Sequence, residues 1–165
     1  MNILVIAGGG REHALCWKLN QSKLCKKLYA APGNGGTANC AVNLKLKISD
    51  FYEIKKAVLK YSIDLVIVGP EDPLVLGIHD FFIKDPYLKN VGVIGPQKKA
   101  AQLEGRKSFA KEFMKRHKIP TAAYSEFTSE NIFEGEKFLE KSKSPYVLKA
   151  DGLAAGKGVL IIDNL

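Results

Sequence analysis

The densest chemistry in this sequence lies at Lys149-Ala150-Asp151-Gly152-Leu153-Ala154-Ala155-Gly156-Lys157-Gly158, where three glycines are interleaved with two lysines and a carboxylate. Backbone N–H groups in such a loop can turn together toward an anion, and Lys149 and Lys157 add compact positive charge. A P-loop would need four residues between its first glycine and its Gly-Lys pair, then Ser or Thr to reach Mg²⁺. Here three residues separate Gly152 from Gly156, and Gly158 follows the lysine. The next residues, Val159–Ile162, read as a strand, whereas a P-loop opens a helix. The segment is therefore expected at the tip of a hairpin, folding over a triphosphate. A plain hairpin turn needs only a pair such as Asn-Gly or Asp-Gly.

Gly8-Gly9-Gly10-Arg11 sits between a short apolar run and a helical pattern. Glycines there allow close approach, and the free N–H groups of a helix start attract an anion. The dinucleotide pattern G-x-G-x-x-G fails, because its third glycine position is His13. The second apolar run also ends in Ala31-Pro32, without the carboxylate that would hold a ribose. The loop reads as a cradle for phosphate or a small phosphosugar, or else as a tight structural turn. Pro32-Gly33-Asn34-Gly35-Gly36-Thr37 is either a surface loop or a second anion cradle, and its position after a strand favours binding. In Gly69-Pro70-Glu71-Asp72-Pro73, Asp72 is explained by a helix start. Glu71 has no such explanation and could accept hydrogen bonds from ligand hydroxyls or an amine. Lys107, one lysine among many, reads as solvated on its own.

His13, His79 and His117 fall on separate helical stretches without metal-like spacing, so packing or solvent contact is their default role. Cys16, Cys25 and Cys40 form no CxxC pair and read as reduced thiols.

The elements that must position these groups alternate. Strands are expected at Asn2–Ala7, Leu28–Ala31, Ile63–Val68 and Val91–Ile94. Helices are expected from Arg11 to about Asn20, after the N-cap Asp50, and from the Asp72-Pro73 pair toward Lys84. Such alternation implies βαβ units and a Rossmann-like parallel sheet over residues 1–100, with ligands at the carboxyl ends of the strands. Gly8–Arg11, Pro32–Thr37 and Gly69–Leu74 all follow strands and should share that edge. Residues 101–119 read as a helical linker, with helices near Gln97–Glu104 and Lys107–His117. Beyond Ile119-Pro120 come a possible strand at Tyr124–Phe127, a helix at Asn131–Lys141, and strands at Tyr146–Lys149 and Val159–Ile162. Those pieces are too few to bury a core, so residues 120–165 read as the start of a second, α+β domain.

The 165 residues are 46% apolar and 25% charged, ordinary globular values that exclude a disordered tail. No apolar run approaches the roughly 20 residues of a membrane span, and the start shows no signal or transit peptide. A cytoplasmic location is expected. The net charge of +8 is concentrated in residues 1–100, with fourteen basic against eight acidic side chains. Scattered lysines without interleaved aromatics argue against nucleic acid and fit a phosphate-bearing small substrate.

Five motifs, in order, resemble the glycinamide ribonucleotide synthetases, or phosphoribosylamine–glycine ligases. They are Ile6–Leu15 (IAGGGREHAL), Ala31–Thr37 (APGNGGT), Val68–Glu71 (VGPE), Ala101–Gly105 (AQLEG) and Lys149–Val159 (KADGLAAGKGV). The similarity runs along essentially the whole chain. It departs at Ala7-Gly8, where Gly-Asn or Gly-Ser is expected, and in length, since family members run well over twice as far.

The resemblance implies ATP-dependent ligation of glycine to 5-phosphoribosylamine, giving glycinamide ribonucleotide, ADP and phosphate. It implies that residues 120–165 begin an ATP-grasp domain, with antiparallel strands joined by the glycine loop. On the same basis Gly10, Arg11, Asn34 and Glu71 would face phosphoribosylamine. Lys107, Lys149, Asp151, Gly152, Gly156, Lys157 and Gly158 would hold ATP. The ligands for Mg²⁺ or Mn²⁺ and the adenine-binding residues are expected downstream of Leu165, and no catalytic side chain is identifiable within these residues. Two other readings share the features: an ATP-grasp ligase or carboxylase acting on another acid, and a non-catalytic module that binds nucleotide or phosphate.

Overall fold

A computed structural model of the chain describes residues 1–154 and 156–164. Ala155, within the glycine loop, and Leu165 lie outside the described residues. The chain divides into two compact units, residues 1–101 and 102–165.

The first unit is built on five strands: β1 (Asn2–Ala7), β2 (Lys27–Pro32), β3 (Val42–Asn43), β4 (Leu65–Val68) and β5 (Gly92–Ile94). Their order is β3-β2-β1-β4-β5, and every pairing is parallel. Alternate residues of β1 enter opposite cores. Leu4 and Ile6 pack with Tyr29, Ala31, Ile54, Val58, Val66 and Phe82, while Ile3 and Val5 pack with Cys16, Leu28, Ala30 and Ile67. A sheet buried on both faces needs apolar side chains at successive positions, which is why β1, β2 and β4 read as unbroken apolar runs.

The covering helices are α1 (Gly10–Asn20), α2 (Phe51–Lys60), α3 (Glu71–Leu76) and α4 (Ile78–Lys84). Asp50 caps α2, accepting from the Tyr52 and Glu53 N–H groups at 3.1 Å each. The expected single helix from Asp72-Pro73 to Lys84 is instead two. It opens at Glu71, with Pro70 as the extended N-cap, so Asp72 lies inside the first turn. Pro73 is tolerated there because a first-turn N–H has no partner within the helix. Gly77, at φ +100°, ends α3 and donates its N–H to the carbonyls of Pro73 and Leu74. A residue with a Cβ would be strained in that left-handed conformation. The two-residue β3 and the single 3₁₀ turn at Thr37–Asn39 carry no periodic signal in the sequence.

Helix α5 (Lys98–Gly105) runs across the division between the units. The second unit contains α6 (Lys107–Arg116), α7 (Ile132–Glu140) and the antiparallel pair β6 (Tyr146–Lys149) and β7 (Val159–Ile162), in register from Tyr146↔Ile162 to Lys149↔Val159. The possible strand at Tyr124–Phe127 does not form. No strand among the described residues pairs with it, and Phe127 instead packs on Phe138 of α7, ring centroids 5.6 Å apart. Leu160 and Ile161 of this two-stranded sheet stay more than half exposed.

Candidate functional site

Strands β2, β1 and β4 are adjacent and parallel, so the loops that follow them emerge along one edge of the sheet. Chain connections run to opposite sides of β1, making the β1–β4 boundary the topological switch point where open parallel sheets take their ligands. The Gly8-Gly9 turn and Gly69-Pro70-Glu71 flank that boundary, and the Asn34 loop lies beside it.

Side chains at this edge are largely committed to one another. Asn34 donates from Nδ2 to the carbonyls of Gly8 (2.8 Å) and Gly9 (3.3 Å), and its Oδ1 accepts from the Thr37 N–H at 2.9 Å. The Thr37 hydroxyl, fully buried, accepts from the Asn34 N–H at 2.7 Å and lies 2.7 Å from Asn43 Oδ1. Asn43 returns a bond from Nδ2 to the Asn34 carbonyl at 2.8 Å. Glu12 is 3% exposed, and its Oε2 accepts from the Gly9 N–H at 2.9 Å. Its carboxylate also fills the space that a Cβ on Gly69 would need, so that position admits only glycine without displacement. What remains open is distinct. Arg11 points outward, its side chain 77% exposed, and a Cβ on Gly10 or Gly35 would meet nothing within 4 Å. Glu71 is half-buried at the start of α3, with no hydrogen-bond or ion-pair partner for its side chain among the described residues. The edge thus presents an outward guanidinium, a free carboxylate and the uncovered amides of a helix start, an arrangement suited to a phosphorylated polyol or amine.

In the second unit the glycine loop is rooted on α6. Asp151 accepts from the Ser108 N–H (3.1 Å) and hydroxyl (2.9 Å) and lies 3.4 Å from Arg106 Nε. Lys107 Nζ donates to the Gly152 carbonyl at 2.9 Å. Partial burial pushes the Asp151 carboxyl upward, but the Ser108 amide and hydroxyl and the Arg106 guanidinium outweigh it and hold the group below the usual carboxylate value. At the hairpin end Ala150 donates to the Gly158 carbonyl, and Lys157 to that of Ala154, both at 2.8 Å. Lys149 and Lys157 are exposed, and Gly152, at φ +90°, has open space where a side chain would stand. Among the described residues no group of three or more His, Cys, Asp and Glu side chains could hold a metal ion.

Residues 1–104 match the N domain of phosphoribosylglycinamide synthetase, and residues 105–165 match that enzyme's ATP-grasp (A) domain. The chain belongs to the phosphoribosylglycinamide synthetase family. Within it, the chain is 49% identical to the phosphoribosylamine–glycine ligase of Haemophilus influenzae across its whole length and 48% identical to that of Clostridium acetobutylicum. It spans 38% of the length of each of these two relatives. The crystal structure of the phosphoribosylamine–glycine ligase of Thermotoga maritima superposes with a TM-score of 0.71 at 32% identity, over 99% of this chain and 36% of that one. N5-carboxyaminoimidazole ribonucleotide synthetase from the same organism, at 21% identity and a TM-score of 0.66, shares the fold.

The residues that the resemblance singles out fall into two groups. Gly10, Arg11, Asn34 and Glu71 lie at the carboxyl edge of the parallel sheet, and Lys107, Lys149, Asp151, Gly152, Gly156, Lys157 and Gly158 lie on α6, the hairpin and its loop. Sequence reasoning missed Glu12, Thr37, Asn43, Arg106 and Ser108, which hold the motif residues in place. Two had a local signal: Glu12 stands three residues after Gly9, the spacing of a capping carboxylate, and Thr37 three after Asn34. Ser108 and Asp151 are 43 positions apart, and no local pattern joins them.

Proposed function

We propose that this chain carries the substrate side and the first part of the nucleotide side of an ATP-dependent ligase that joins glycine to 5-phosphoribosylamine. In this reading residues 1–100 hold phosphoribosylamine, 101–119 connect, and 120–165 begin the ATP-grasp portion. The observation that carries it is the convergence of the Gly8–Arg11, Asn34 and Glu71 loops on one switch point, in a chain whose relatives bear the ligase name. Arg11 and the α1 amides neutralise the sugar phosphate. Glu71 accepts from the ribose hydroxyls or the amine. Asn34 fixes the loop that shapes the pocket.

The reaction gathers two phosphate-bearing substrates, ATP and phosphoribosylamine, around the glycine carboxylate. The glycine carboxylate takes the γ-phosphoryl group of ATP, releasing ADP. The amine of phosphoribosylamine then attacks the acyl carbon, phosphate leaves, and the nitrogen gives up a proton. Covalent chemistry is borne by the substrates, so the protein's task is positioning and charge stabilisation. Lys149 and Lys157, with the loop amides of Gly152, Gly156 and Gly158, neutralise the transferring phosphoryl charge, and Lys107 supports them. A divalent Mg²⁺ or Mn²⁺ would add to this neutralisation of phosphoryl charge, with ligands expected downstream of Leu165.

The test joins this chain to the remaining length its relatives possess and follows ADP release. Turnover that requires both glycine and phosphoribosylamine supports the reading. Lys149→Ala should then lower kcat by about a hundredfold, since one positioned donor at transferring charge is worth roughly 3 kcal/mol. ADP release indifferent to phosphoribosylamine would overturn it.

A further inference from the structure

Family resemblance groups Asp151 with the ATP-holding residues, yet its geometry describes a different task. Both carboxylate oxygens are engaged by the protein: Oδ1 by the Ser108 N–H, Oδ2 by the Ser108 hydroxyl and the Arg106 guanidinium. All three donors belong to the N-cap and first turn of α6. The next residue of the loop, Gly152, is held by its carbonyl to Lys107, from that same turn. Three consecutive residues of α6's start therefore grip two consecutive residues of the loop's root. No other described side chain reaches Asp151.

We infer that Asp151 is a positioning residue and not a nucleotide ligand: it fastens the root of the glycine loop to the first turn of α6, fixing the Lys107 amine and the loop relative to each other. The inference rests on the nucleotide-loop reading above. Gly152, directly after Asp151, takes a positive φ of +90° that a residue with a Cβ would adopt only under strain. A carboxylate is the group that suits this role, because it satisfies the orphan Ser108 N–H of the helix start, complements the helix dipole and pairs with Arg106 at once.

The experiment is amide hydrogen exchange and NMR on the ligand-free 165-residue chain, comparing wild type with Asp151→Ala and Asp151→Asn. Charge-assisted bonds of this kind are worth a tenfold change or more in local opening. Exchange at Ser108 is therefore expected to rise about tenfold in Asp151→Ala and its amide resonance to move upfield in Asp151→Asn, with Val147 and Leu160 in the hairpin ladder unchanged. Unchanged Ser108 exchange, or equal loosening of the ladder, overturns the inference. A second arm, on the chain joined to the remaining length its relatives possess, adds ATP·Mg²⁺ and follows the Lys157 amide together with the Asp151 carboxyl carbon. Shifts at Lys157 with a stationary Asp151 carbon are expected, and an Asp151 carbon that shifts directly with nucleotide marks a ligand and overturns the positioning role. If ATP·Mg²⁺ perturbs nothing in the wild type, the nucleotide reading falls, and the ligand-free exchange upholds or overturns the clasp by itself.

Discussion

Asn34 and Gly8 are joined by a hydrogen bond of 2.8 Å from the side-chain amide to the backbone carbonyl, which ties the loop after β2 to the loop after β1. The same amide reaches Gly9, while its oxygen takes the Thr37 N–H. Replacing Asn34 by Asp keeps the shape and exchanges a donor for a negative charge facing two carbonyls. The expected loss is about 2 kcal/mol, the size of an unpaired, partly buried polar group. Urea unfolding followed by circular dichroism measures it. A midpoint equal to wild type would mean that the amide does not hold the two loops together.

Ala7 ends β1 at φ +138°, buried, in a conformation that glycine adopts readily and alanine does not. The resemblance implies glycine here, so the sequence's departure at Ala7 coincides with backbone strain. Ala7→Gly should stabilise the chain by about 1 kcal/mol, strain relief exceeding the entropy that glycine adds to the unfolded state. A rise in melting temperature of several degrees is the expected reading. A fall would show that the exit of β1 relaxes around alanine.

The parallel sheet was legible because its strands are short apolar runs punctuated by glycine and proline, and because burial on both faces leaves no polar alternation to confuse them. One of its two edge strands, β3, was not legible: Val42 and Asn43 supply only two residues, with no pattern of their own. Gly77 looked like an ordinary residue within one helix, since only its backbone angle reveals the break. Motif residues in the loops stood out by composition. Their supports did not, because Glu12 resembles any helix charge until its burial is seen, and Ser108 meets Asp151 only through the fold.

Cys16 lies fully buried beneath the sheet, and its thiol is pushed up to about 11, first by burial and then by Cys40, Glu12 and Cys25 nearby. The thiolate is the reactive form, so at pH 8 almost none is present. Iodoacetamide on the folded chain should label the half-buried Cys40 well before Cys16, with equal labelling only in urea. Mass spectrometry of the digests resolves the sites. Labelling of Cys16 at the rate of Cys40 in the native chain would contradict the burial.

The Asp151 clasp carries a pH dependence whose sign is fixed by the downward shift of its carboxyl. A group held lower in the folded state than in the unfolded chain stabilises above its unfolded value, near 4, and loses that contribution as pH falls through the folded value. The groups that face it are Arg106, Lys107 and the Ser108 amide and hydroxyl. The clasp should therefore persist from neutral pH to about pH 4 and open only in stronger acid. The Ser108 amide resonance reports this directly, with a midpoint expected below that of an ordinary aspartate. Because the Asp151 side chain is 37% exposed, added salt should weaken the Arg106 contribution and raise the midpoint. A midpoint at or above 4 in low salt would show that the carboxylate is not gripped by the helix start.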